Sequence, residues 1–198
     1  MTLATAHHGA IMVGGFLGTL IALEKIIPLK KKALYAIPAV NAISVIFFFL
    51  GQPKVSIYIL IASSLALSFV FFHYLRMQRT IIYLLLVLGS FCWLVANTLL
   101  LTKLFYPLAF PWWAAFALLI ISAERLELMK FLPVREGDKI VFATLLILFV
   151  AGALFSFHGI GSVICGLALA GIAIWLMKND VIGINLRKKK LPKFVAVA

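Results

Sequence analysis

The chain has 198 residues, 65% of them hydrophobic and 12% charged, with a formal net charge of +12, and its mean hydropathy is +1.16. An ordinary soluble domain is roughly half apolar with about a quarter of its residues charged, so this composition excludes a water-soluble globule. The basic residues stand in short clusters between apolar runs, the pattern of cytoplasmic loops in a membrane protein and not of a nucleic-acid surface.

The apolar runs are long and continuous, unlike the alternating segments of about ten residues that build a barrel. Backbone groups in lipid must bond within their own segment or close a barrel, so the chain reads as an all-α polytopic transmembrane helical bundle. Seven spans are predicted, at about Ala6–Pro28, Ala33–Gly51, Val55–Arg76, Thr80–Phe105, Pro107–Met129, Lys139–His158 and Ile160–Lys178. Each is close to the ~20 residues that cross a hydrocarbon core. Short linkers predict that successive helices pack as antiparallel neighbours. No soluble domain and no internal repeat is legible, and residues 1–198 read as a single transmembrane domain.

The first span opens on "MTLATAHHGA", which has neither a basic n-region nor a clear small-x-small cleavage site and is read as mature sequence. It carries His7 and His8 at its start and Gly14, Gly15 and Gly18 in its first half. Glu24 and Lys25 stand one turn before Pro28. Gly14 and Gly18 form a GxxxG spacing that lets another helix approach closely. The second span holds Asn41 at mid-depth, the third Ser63, Ser64 and Ser68, and the fourth Trp93 and Asn97. Such polar groups serve as interhelical glue more often than as substrate ligands. Trp93 and Asn97, spaced i, i+4, share a face and are the expected lining of a cavity. Cys92 and Cys165 lie inside spans without ligand spacing and read as small core residues.

The fifth span ends in "ISAERLELMK", with Glu124, Arg125 and Glu127 inside its last turns. His158 closes the sixth span, and "GLALAG" gives the seventh a small-residue face. The seventh has no lysine at mid-depth, only Lys178 at its end, which argues against a retinal protein. After "RKKKLP" an apolar run begins, read either as a frayed tail or as the start of an eighth helix in a longer gene product.

Linker charge sets the expected orientation. Fourteen basic residues fall after the odd-numbered spans, against Lys54 and Lys103 on the other side. The positive-inside bias then places the basic loops in the cytoplasm and the N-terminus outside, in a multi-pass protein of the cell membrane. Aromatic anchors agree: Tyr58, Tyr106, Trp112 and Trp113 fall at the outer boundary, and Tyr35, Tyr74, Tyr83 and Trp175 at the inner one.

With this orientation, Glu24 and Lys25 of the first span meet Glu124, Arg125 and Glu127 of the fifth at one depth. Glu24 is expected to pair with Arg125, and Lys25 with Glu124 or Glu127, since a charge in hydrocarbon costs several kcal/mol unless paired or hydrated. Three readings of this layer are open: anchors that snorkel to water, an internal ion-pair network, or an ion or proton pathway. His7, His8 and His158 gather on the outer side and are the candidate cofactor ligands, with His8 and His158 the metal pair. Imidazole suits haem iron, copper or zinc, although histidines at an interface are also common as water-exposed residues. His73 lies at the opposite end.

"HHGAIMVGGFLGTLIALEK", together with "WW" and "ISAERLEL", resembles a group of poorly characterised bacterial and archaeal membrane proteins. In these the first helix reads HG-x-LM-x-x-GF-x-GTLI-x-LER and a middle helix carries an ERLEL run. That group is distantly similar to NnrS-like proteins, polytopic proteins described as containing haem and copper and linked to nitric oxide stress. The matching positions are His8, Gly9, Gly15, Gly18, Thr19, Glu24, Glu124, Arg125 and Glu127, with Lys25 in place of an arginine. The resemblance implies a haem- or copper-binding, redox-associated membrane protein. Two other classes stay open: a small-solute or proton-coupled transporter, and a structural subunit whose glycine faces meet partner subunits or a second copy. The lipid bilayer is a partner in every case. The sequence marks no catalytic residue.

Overall fold

The computed structural model describes residues 6–129, 135–155 and 159–179. Among these residues there is no strand, and seven helices follow one another. They are α1 (Ala10–Leu29), α2 (Ala36–Phe49), α3 (Pro53–Met77), α4 (Ile81–Lys103), α5 (Tyr106–Leu128), α6 (Glu136–Ala153) and α7 (Ile160–Asn179). A 3-10 turn at Lys32–Tyr35 leads into α2. The fold is therefore an all-α transmembrane bundle. Among the described residues six helices are long and apolar enough to span.

The exception is α6. It is 18 residues long and carries Glu136, Asp138 and Lys139 in its opening turn, so the described helix holds fewer uncharged residues than the ~20 of a full crossing. The sixth predicted span, Lys139–His158, includes residues 156–158, which lie outside the described residues.

Helix ends fall where local chemistry requires them. After the 3-10 turn Ile27–Leu29, Lys30 takes a left-handed conformation at φ 53° and stops α1. Gly51 turns the chain after α2 at φ 72°, where the absence of a Cβ makes positive φ cheap, and Pro53 opens α3 in the N1 position it favours. Gln78 and Thr80 are extended between α3 and α4. Leu104, at φ 49°, closes α4.

The chain divides into two compact units, Met1–Ala117 and Leu118–Ala198, where the sequence suggests one domain. In the first unit, α1 to α4 and the start of α5 run in alternating directions. The contacts fix this: His7 meets Phe48 at the far end of α2, Ser56 at the start of α3 donates to the Ser44 carbonyl, and Tyr74 at the end of α3 reaches the Lys25 carbonyl. Its core is built on Ile21, Leu60, Leu67, Phe71, Leu85 and Trp93, all buried. In the second unit α6 packs on α7: Phe142 stacks on Trp175 with centroids 4.2 Å apart, and Gly152 lies against Cys165, where an added Cβ would sit 2.7 Å from Sγ.

Candidate functional site

The first half of α1, Ala10–Leu17, is a π-helix, a form that is rare and recurs at functional sites. Its wider turn displaces the backbone bonding. The Gly18 N–H reaches the Val13 and Gly15 carbonyls, so the Gly14 carbonyl loses the donor that an α-helix would give it. Asn41 of α2 supplies one. Its Nδ2 donates to the Gly14 carbonyl at 2.9 Å, the Gly15 carbonyl at 3.0 Å and the Thr19 hydroxyl at 2.9 Å. Thr19 passes its own proton to the Gly15 carbonyl at 2.6 Å. All three partners accept, which determines which end of the amide faces α1.

The glycines of α1 make room for this arrangement. Gly15 lies under Val45, Gly14 under Leu60, and Gly18 under the Trp93 ring, where a Cβ would stand 2.3 Å from Cζ2. The GxxxG face is thus occupied by side chains of the chain's own α2, α3 and α4. Trp93 is fully buried and stacks on Phe116, centroids 5.0 Å apart and planes at 12°. Asn97 is also fully buried. It accepts from Trp113 Nε1 at 3.1 Å and donates to the Leu60 carbonyl at 3.4 Å. The pair that the sequence marks for a cavity therefore sits among packed aromatic rings.

From Trp113 the contacts continue to the chain's N-terminal end. Tyr106 lies 6.1 Å from Trp113, centroid to centroid, and its hydroxyl hydrogen-bonds His7 Nδ1. His7 is half-buried, 5.3 Å from the Phe48 ring. His8 is exposed, as expected for the next residue on a helix, turned by about 100°. The result is a continuous polar and aromatic path, His7–Tyr106–Trp113–Asn97, that links α1, α4 and α5 within the first unit. Trp113 is 3% exposed and belongs to this packed end; Tyr58, 60% exposed, has the position of an interfacial anchor. His158 lies outside the described residues.

At the opposite end of α1, Lys25 Nζ is 2.9 Å from Glu24 Oε1, with side-chain exposures of 14% and 55%. Glu124 and Glu127 are half-buried and Arg125 is exposed, consistent with a shared face for i, i+3 and a diverging neighbour. These three belong to the second unit and Glu24 and Lys25 to the first.

Among the described residues no three His, Cys, Asp or Glu side chains gather as a metal-binding group. Sequence reading gave Tyr106 and Trp113 only the role of boundary aromatics. It placed Asn41 as glue without identifying its partners.

The chain belongs to a family defined by a domain of unknown function, DUF8744, whose model matches residues 2–198. No curated protein matches it, and no solved structure does.

Proposed function

We propose that this member of the family is a redox-associated component of the cell membrane that binds haem or copper at its His7 end. One observation carries the reading: the Tyr106 hydroxyl engages His7 Nδ1. A metal-ligating histidine characteristically donates its other ring N–H to an oxygen acceptor, which fixes tautomer and ring orientation. In the tautomer that donates Nδ1–H to the Tyr106 oxygen, Nε2 keeps its lone pair for a metal. An axial ligand to haem needs one such nitrogen, whereas a closed zinc site needs about four ligands, and the donor set suits the former. The resemblance pointed to His8; the held ring of His7 makes it the stronger ligand. A bound haem or copper would supply one-electron chemistry, and Tyr106 and Trp113 would shield that end from water. Orientation follows linker charge, with the histidine end outside and the basic loops in the cytoplasm.

Absorption spectroscopy of the purified protein reconstituted with haem tests this. A Soret band that survives His8→Ala and vanishes in His7→Ala is the expected result, with Tyr106→Phe weakening haem affinity by about 10- to 100-fold. A preparation that takes up neither haem nor copper ends the reading.

The transport alternative rests on different atoms. Asn41 Oδ1, Ser63 Oγ and Trp93 Nε1 are buried polar atoms without hydrogen-bond partners among the described residues, as a polar path through the first unit would require. Uptake into liposomes that depends on pH and falls in Asn41→Leu would support it.

A further inference from the structure

The turn between α3 and α4 carries two arginines beside an apolar trough. A groove of about 580 Å³ is lined by Arg76, Arg79 and Thr80 together with Phe72, Leu75, Ile81 and Leu84. Arg76 is held with its guanidinium carbon 4.7 Å from the Phe72 ring centroid, so part of its ordering cost is met before any ligand arrives. No carboxylate pairs with either arginine among the described residues. Glu24 lies with Lys25, and Glu136 with Lys139. Thr80 and Ile81 begin the 23-residue α4, whose first turn contains no acidic residue and no side-chain cap, which adds a positive end to the same spot.

Around the same end of the first unit, a second, smaller groove of about 220 Å³ sets one cation, Lys31, beside apolar side chains. Lys31 and His73 stand there beside Leu29, Leu34, Phe69 and Val70. Paired cations above an apolar trough, at the end of long membrane helices, are complementary to a molecule with an anionic head and a hydrocarbon tail. Guanidinium groups match phosphate oxygens in geometry as well as charge, and basic pockets between spanning helices take up anionic lipid headgroups.

We infer that the α3–α4 groove is a binding site for an anionic phospholipid, its phosphodiester between Arg76 and Arg79 and one acyl chain along Phe72, Leu75, Ile81 and Leu84. The site is independent of the histidine end and of any cofactor there. It ties the basic turn to the leaflet that holds anionic lipid, so it also stabilises the orientation that linker charge selects.

Native mass spectrometry of the full chain in detergent, with phosphatidylglycerol and phosphatidylcholine of identical acyl chains added separately, tests the site. The expected result is retention of phosphatidylglycerol with an affinity on the order of tenfold higher. That preference should be lost in Arg76→Gln/Arg79→Gln and kept in Lys54→Gln/Lys103→Gln, which removes the same charge elsewhere. Leu84→Glu, which places a carboxylate in the trough, should abolish it as well and serves if the arginine variant does not fold. Equal retention of the two lipids, or equal loss in the two charge-matched variants, overturns the proposal. Binding of inorganic phosphate with no preference between the lipids also overturns it, because the site would then take a free anion.

Discussion

Asn41 shows how much one side chain can decide in a membrane. Its amide donates to the Gly14 carbonyl, which the π-helix of α1 leaves without its α-helical donor, and to the Gly15 carbonyl beside it, in surroundings where water cannot substitute. Asn41→Leu should destabilise the protein by roughly 1–3 kcal/mol, read as a lowered unfolding midpoint in micelles. The glycines give a graded comparison. Gly18→Ala drives a Cβ against the ring of Trp93 and should cost about 1–3 kcal/mol. Gly166→Ala, with nothing within 4 Å, should be neutral or stabilise α7 by up to about 1 kcal/mol. Individual residues were visible in the sequence as exceptions, a histidine pair or an asparagine in an oily run. Their partners were not: Tyr106 and His7 are 99 positions apart, and nothing local to either one encodes the other.

Among the helices, α1 departs furthest from a hydropathy reading, which draws one uniform span where the backbone passes from π to α to 3-10. A π segment holds one residue more than the α-helix it replaces, so deleting the exposed Met12 should let that stretch close as α-helix while His7 keeps facing Tyr106. The Gly14 carbonyl would then regain the Gly18 N–H, its α-helical donor. The loss caused by Asn41→Leu should therefore shrink by about 1 kcal/mol in the Met12-deleted background, a coupling that a double-mutant cycle of unfolding midpoints measures. Equal losses in the two backgrounds would show that Asn41 does not serve the π geometry. The early start of α6, at Glu136 where the predicted span opens at Lys139, is a second departure at this scale, and here the sequence holds the explanation: Glu136, Asp138 and Lys139 occupy its first turn, and helix propensity extends the helix over residues that hydropathy leaves out.

For the whole molecule, the division into Met1–Ala117 and Leu118–Ala198 falls inside α5, a boundary that no linker announces. Charge asymmetry predicts how the bundle sits in the membrane. Lys54→Cys and Lys103→Cys should react with a membrane-impermeant maleimide added to intact cells, and Gln78→Cys should react only after permeabilisation. Cys92 and Cys165, at 0% and 4% exposure, leave little background. The reverse pattern would invert the proposed orientation and move the histidine end to the cytoplasm.

The class of fold was determined by the sequence alone, because hydrocarbon leaves the backbone few ways to bond and long uncharged runs select the helix. Span positions followed from the same cause, to within a few residues at most ends. Which polar groups meet was decided only by the tertiary structure. A helix that is apolar all round carries no stripe to show which face turns inward, so rotation about its axis is settled by packing. In the first unit that packing sets Trp93 against Gly18, Asn41 on the carbonyl of Gly14 and Tyr106 on His7.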